Sequence, residues 1–122
     1  MRAHRLNFPT GNLNLLSKTS IEQICLIAEH EQPKLIVIDS IQVMHISDIQ
    51  SSPGSVAQVR ETAAYLTRFA KTEGIAIVMV GHVTKDGALA GPKVLEHCID
   101  CSVMLAFVRF AVIKIALARL MN

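Results

Sequence analysis

The stretch Leu35-Ile36-Val37-Ile38-Asp39-Ser40 decides the fold. Four aliphatic residues, β-branched at Ile36, Val37 and Ile38, run without a polar break into a carboxylate and a hydroxyl. A strand covered on both faces shows such a continuous apolar run instead of alternation. The stretch therefore predicts a buried parallel strand over Lys34 to Asp39. Ligands gather at the carboxyl ends of such strands, which puts Asp39 where a carboxylate can face a metal ion. The same residues also fit a core strand whose Asp caps the next turn, because aliphatics followed by Asp recur in many α/β folds. The surrounding sequence has to separate the two.

Working outward, Pro33 divides this strand from a helix predicted at Ser20 to His30. Ser20 with Gln23 makes a capping-box pattern, and Ile21, Ile24, Cys25 and Ala28 fall at helical spacing. Beyond the strand, His45 to Ser55 is polar and turn-rich and predicts a flexible loop. Ser55 can cap a longer helix through Glu73, with Val56, Val59, Ala63, Leu66, Phe69 and Ala70 at a period near 3.6 and Gly74 placed to end it. Ile75 to Val80 is a second wholly apolar run, leading into Gly81-His82-Val83-Thr84-Lys85-Asp86-Gly87. Strand, loop, helix, strand makes one βαβ unit, whose right-handed crossover brings both strand ends to one edge of the sheet.

Composition bounds the rest. The 122 residues suffice for one domain or part of one. Half of them, 51%, are apolar, yet the chain has one Tyr, four Phe and no Trp, so the core is aliphatic and stacking platforms for bases are few. A net charge of +2, from 12 basic and 10 acidic residues, is too mild to argue for nucleic acid. Three cysteines, an odd number, with no apolar signal segment behind Met1-Arg2-Ala3-His4-Arg5, point to a reducing cytoplasm.

Asp39 at its strand end can hold magnesium directly or through water, with Ser40 beside it, as the Walker B half of a P-loop nucleotide site. His82, at the end of the second strand, is placed to sense a terminal phosphate by hydrogen bonding, or to pack as a turn histidine beside Gly81. Lys85 and Lys93 flank the Gly-rich segment Gly87 to Pro92, where ammonium groups can touch phosphate or stay solvated. Cys98-Ile99-Asp100-Cys101 after His97 has metal-like spacing, but without a second pair it reads as two buried thiols. No Gly-x-Ser-x-Gly elbow supports nucleophilic hydrolysis.

Three segments in this order carry a resemblance: Val37-Ile38-Asp39-Ser40-Ile41-Gln42-Val43, then Gln50-Ser51-Ser52-Pro53-Gly54-Ser55-Val56-Ala57-Gln58-Val59-Arg60-Glu61, then Gly81-His82-Val83-Thr84-Lys85-Asp86-Gly87. Together they resemble the bacterial RadA/Sms family of RecA-like ATPases, over about Met1 to Met104. The resemblance implies a partial RecA-like P-loop NTPase core, a parallel sheet with flanking helices. It implies for the parent family ATP and magnesium as cofactors, an ATP-driven ring of identical subunits, and branch migration of recombination intermediates on single-stranded and branched DNA. By position, Asp39 becomes the Walker B carboxylate. The segment Asp48 to Arg60 becomes a DNA-facing loop, with Gln50, Ser51, Ser52, Gln58 and Arg60 as contacts. Gly81 to Gly91 becomes the phosphate-sensing and second DNA-facing region, with Lys85 and, beyond it, Lys93.

The departures are as informative. The family pattern also holds a four-cysteine zinc finger, a GxxxxGK[ST] loop, a water-activating acid, a Lys-Asn-Arg-Phe-Gly motif and a Lon-protease-like domain. None of these is in the sequence. Without the glycine-rich loop, the backbone amides and lysine that cradle phosphates are missing, and the chain alone is not expected to bind ATP. Residues 105–122 are apolar and basic, but Arg109, Lys114 and Arg119, five apart, turn by about 140° each on a helix and leave no clean membrane span. Suitable codons for these residues, read one nucleotide out of frame, spell a sequence containing Lys-Asn-Arg-Phe-Gly. The tail is therefore expected to be frameshift-derived, following a partial core over residues 1–104. With two strong strands and a third at Cys101 to Leu105, the sheet edges are expected to be unpaired. Three functions compete: a DNA repair motor by lineage, a fragment that binds full-length RadA rings or DNA, and a gene remnant.

Overall fold

A computed structural model describes residues 11–82, Leu95, 97–104 and 111–116, with side chains over 11–81, Leu95 and 97–100. The first helix, α1, spans Ile21–Glu31 and begins where Ser20 accepts a hydrogen bond from the Gln23 N–H. Its buried residues are Ile21, Ile24, Cys25 and Ala28, the four whose spacing predicted it. It ends at Gln32, a non-glycine residue with φ of 47°. The left-handed turn is helped by a bond from the Gln32 side chain to the Glu29 carbonyl at 2.9 Å, and Pro33 bars continuation.

Strand β1, Leu35–Asp39, follows, then a single 3₁₀ turn, Ile41–Val43. Helix α2 spans Val56–Glu73, capped by Ser55 and closed by Gly74 at φ of 67°. It buries Val59, Ala63, Leu66, Phe69 and Ala70; Val56, at the exposed first position, does not share that stripe. Strand β2, Ala76–His82, runs parallel to β1 with Leu35 opposite Ala76 and Asp39 opposite Val80. The βαβ unit is therefore present, and β2 reaches two residues past the predicted Val80 end.

Two further strands complete a sheet of order β1-β2-β4-β3 among the described residues: β3, Cys101–Met104, and β4, Ala111–Ala116. Strand β4 lies antiparallel between β2 and β3. This corrects the expectation of unpaired edges for β2 alone: the tail contributes a strand that takes up its hydrogen bonds, while β1 and β3 form the edges of the sheet among the described residues. Val112, Ile113 and Ile115 are β-branched and suit a pleated ladder better than a helix.

The core is one cluster joining Ile21 and Ile24 of α1, Val59 and Leu66 of α2, Ile41 of the turn, and Ile38, Ile77 and Met79 of the sheet. Helix α2 packs on the sheet, α1 packs on α2, and both join the core cluster that holds Ile38, Ile77 and Met79. On the other face Leu35 and Val37 are 54% and 58% exposed. The reading of β1 as covered on both faces is thus corrected: its apolar run is that of a two-sided strand, but no described element covers its second face. Among the described residues no helix is long and apolar enough to cross a membrane.

Candidate functional site

The carboxyl edge of the parallel pair is built by strand register. Asp39 is exposed at the end of β1, opposite Val80, so the backbone of Gly81 and His82 continues past it on the neighbouring strand. The peptide bond from Asp39 to Ser40 is cis. Ser40 is buried, and its carbonyl receives the Val43 N–H at 3.2 Å, which starts the 3₁₀ turn. That turn carries Gln42 over β2: a Cβ at Gly81 would lie 3.5 Å from Gln42 Nε2 and 3.9 Å from its Oε1. An exposed carboxylate, a serine and a side-chain amide thus share one sheet edge. Such oxygen chemistry fits magnesium, which takes one or two carboxylates and keeps its waters.

The second part is the segment after the turn. Its start is bonded to α1 through main chain, His45 N–H to Thr19 carbonyl at 3.0 Å and Ile21 N–H to His45 carbonyl at 3.1 Å. Glu22 then accepts the Ser47 N–H at 2.8 Å and the Ser20 hydroxyl at 2.8 Å. Burial pushes the Glu22 carboxyl up, but the N–H groups of Ser47 and Glu22, the Ser20 hydroxyl and the charge of His45 outweigh it, so its pKa is lowered. From below, the Gln58 side chain bonds Ile46, Ile49 and Ser51. The stretch predicted as a flexible loop is tethered at both ends, because its turn residues leave backbone groups that Glu22 and Gln58 satisfy.

With this geometry in hand, the chain can be set beside known proteins. The AAA domain family profile matches residues 3–88, more than half of the chain. This chain belongs to the AAA domain family. Over 105 residues, 86% of its length, it is 88% identical to the DNA repair protein RadA of Salmonella typhimurium and 87% identical to that of Escherichia coli. It is 50% identical over 100 residues, 82% of its length, to the DNA repair protein RadA of Bacillus subtilis. The chain spans less than a quarter of these relatives, 23% of the first two and 22% of the third. The RadA resemblance read from the three segments is thereby established, as is the partial RecA-like α/β core within this AAA domain chain.

The predicted site residues of the AAA domain chain divide by burial. Asp39 and Ser40 lie at the sheet edge as placed from sequence, and the backbone of His82 ends β2 there. The side chain of His82, and all of Lys85 and Lys93, lie outside the described residues. Of the expected DNA contacts, Gln50, Ser52 and Arg60 are exposed, Arg60 within 3.7 Å of the Glu61 carboxylate. Gln58 and Ser51 are a correction: Gln58 is 2% exposed and committed to the loop backbone, and the Ser51 hydroxyl is buried. Both were placed as DNA contacts by the resemblance alone, and a polar side chain in a polar segment carries no sign of which way it points. Cys98 is half-buried and its carbonyl meets the Thr67 hydroxyl at 2.7 Å, while the side chain of Cys101 lies outside the described residues. No group of three metal-ligating side chains occurs among the described residues. Glu22 and Gln42 were missed; the acidic residue in the first turn of α1 was the available signal for the first.

Proposed function

We propose that this chain is a RadA-type piece that carries the magnesium-facing and DNA-facing parts of an ATP-driven repair motor without its phosphate-binding part. By itself it neither binds nor hydrolyses ATP. The observation that carries the reading is Asp39, exposed at the end of a parallel strand in a sequence that holds no GxxxxGK[ST] loop. Magnesium fits that edge, with Asp39 as its carboxylate and Ser40 beside it. A nucleotide does not fit, because the phosphates need a nest of backbone amides and a lysine that these residues do not supply, so no hydrolytic step is assigned to this chain. In a complete RadA-type ring His82 would sense the terminal phosphate. Gln50, Ser52, Arg60, Lys85 and Lys93 would face single-stranded or branched DNA, in the cytoplasm.

Residues 105–122 are proposed to be frameshift-derived, a reading supported by the Lys-Asn-Arg-Phe-Gly motif that suitable codons for these residues spell one nucleotide out of frame. The nucleotide sequence around codon 104 checks it: the alternate frame should encode Lys-Asn-Arg-Phe-Gly. A second reading, a fragment that enters rings of full-length RadA, draws support from the exposed Leu35 and Val37. Co-purification with intact RadA separates a heteromeric ring from a remnant found only in inclusion bodies.

The test of the main reading is ATP hydrolysis by the 122-residue chain with magnesium, with and without single-stranded DNA. Turnover should equal that of the Asp39→Ala variant. Turnover above that of the variant would overturn the proposal.

A further inference from the structure

We propose that Gln58 is the positioning residue of the DNA-facing loop: it sets the conformation of residues 46–51 from beneath, and through them the placement of Gln50 and Ser52. The inference rests on the reading of this loop as DNA-facing and gives a different task to a residue that reading had made a DNA contact.

Gln58 stands three residues into α2 from its cap Ser55, the position whose Gln or Glu in a capping box normally bonds back to the cap N–H. Half of the box is present, since the Gln58 N–H donates to Ser55 Oγ at 3.2 Å. The other half is not needed, because the Ser55 N–H already bonds the Ser52 carbonyl at 3.1 Å. The side chain is thereby released to the loop. Its Oε1 accepts the Ile46 N–H at 3.2 Å, and its Nε2 donates to the carbonyls of Ser51 at 3.0 Å and Ile49 at 3.1 Å. The Ile46 carbonyl lies further off, at 3.4 Å.

This pattern fixes both the amide orientation and the residue type. A flipped amide would set its NH₂ against the Ile46 N–H and its oxygen against carbonyls. A carboxylate could accept from Ile46 but would face those carbonyls with negative charge, and an apolar side chain would leave buried backbone groups unpaired. Ser51 and Ile49, whose carbonyls are held, bracket Gln50, and Ser52 follows directly. The two exposed loop residues are therefore carried on backbone whose inward side is bonded to one buried amide.

The experiment compares three forms of the 122-residue chain: native, Gln58→Met, which keeps the length and loses the bonds, and Val59→Ala, a core truncation at the adjacent fully buried residue that leaves the loop bonds alone. Amide exchange and the ¹H–¹⁵N signal of Ile46 are read without DNA, and the affinity for a fluorescent single-stranded oligonucleotide is read by anisotropy. In Gln58→Met the Ile46 amide should shift and exchange about tenfold faster, with affinity weakened about tenfold, corresponding to one or two lost hydrogen bonds. Val59→Ala should change neither beyond the effect of its lower global stability. Unchanged loop exchange in Gln58→Met, or equal behaviour of the two variants, would overturn the role of Gln58. Native chain that does not retain the oligonucleotide would overturn the DNA-facing reading instead, while the exchange data still decide what Gln58 does to the loop.

Discussion

Asp39 stands opposite Val80 in the parallel register of β1 and β2, so the carboxylate and the Gly81-His82 backbone meet at one sheet edge. The same register sets Leu35 opposite Ala76 and Val37 opposite Val78 on the face that the helices leave open. Leu35 and Val37 are more than half exposed there, while Val78 and Val80 are half-buried. An apolar sheet face that no described element covers favours association.

Replacing both Leu35 and Val37 by Thr should therefore raise the soluble fraction and lower the binding of an apolar dye, with the fold retained because β-branched Thr is itself well suited to a strand. Sedimentation and circular dichroism check it. Unchanged aggregation would mean that another surface is responsible.

The link between Glu22 and Ser47 gives a pH dependence with a defined sign. The native pKa of Glu22 is below the usual glutamate value of about 4.3. The stabilisation it lends is complete above that unfolded value and is lost as pH falls through the lower native one. The Ser47 amide signal should move in that acid range, and Glu22→Gln should remove the change.

Thr62 is fully buried in α2, and its hydroxyl finds no hydrogen-bond partner among the described residues. Thr62→Val keeps the shape and removes the orphaned group, so it should stabilise the chain by about 1 kcal/mol in denaturant unfolding. A loss of stability would show that the hydroxyl is bonded.

Cys25 is 3% exposed, and its thiol is pushed up to about 12, first by burial and then by the charges of Glu29 and Glu22. In the folded chain at pH 8 it should resist a thiol reagent and become labelled only in denaturant, as peptide mass spectrometry can follow. Rapid native labelling would contradict the packing of α1.

Much of this fold was legible because its signals are local. Ser20, Ser55 and Gly74 mark helix ends through bonds and backbone angles that lie within a few residues, and the spacing of Ile21, Ile24, Cys25 and Ala28 names the buried side of α1. The Asp39 edge followed from two apolar runs and the geometry of a parallel crossover. What could not be read depends on contacts far apart in the chain. The tether from Gln58 to Ile46 crosses 12 residues and that from Glu22 to Ser47 crosses 25. The pairing of 111–116 with β2 likewise needs the sheet to exist first.

The most direct test of the central claim is equilibrium binding of a fluorescent ATP analogue with magnesium to the chain, beside Asp39→Ala. The account predicts no saturable binding by either form, since the carboxylate edge is present and the phosphate cradle is not. Saturable binding that weakens in Asp39→Ala would contradict it, by showing that a nucleotide site is held without the glycine-rich loop.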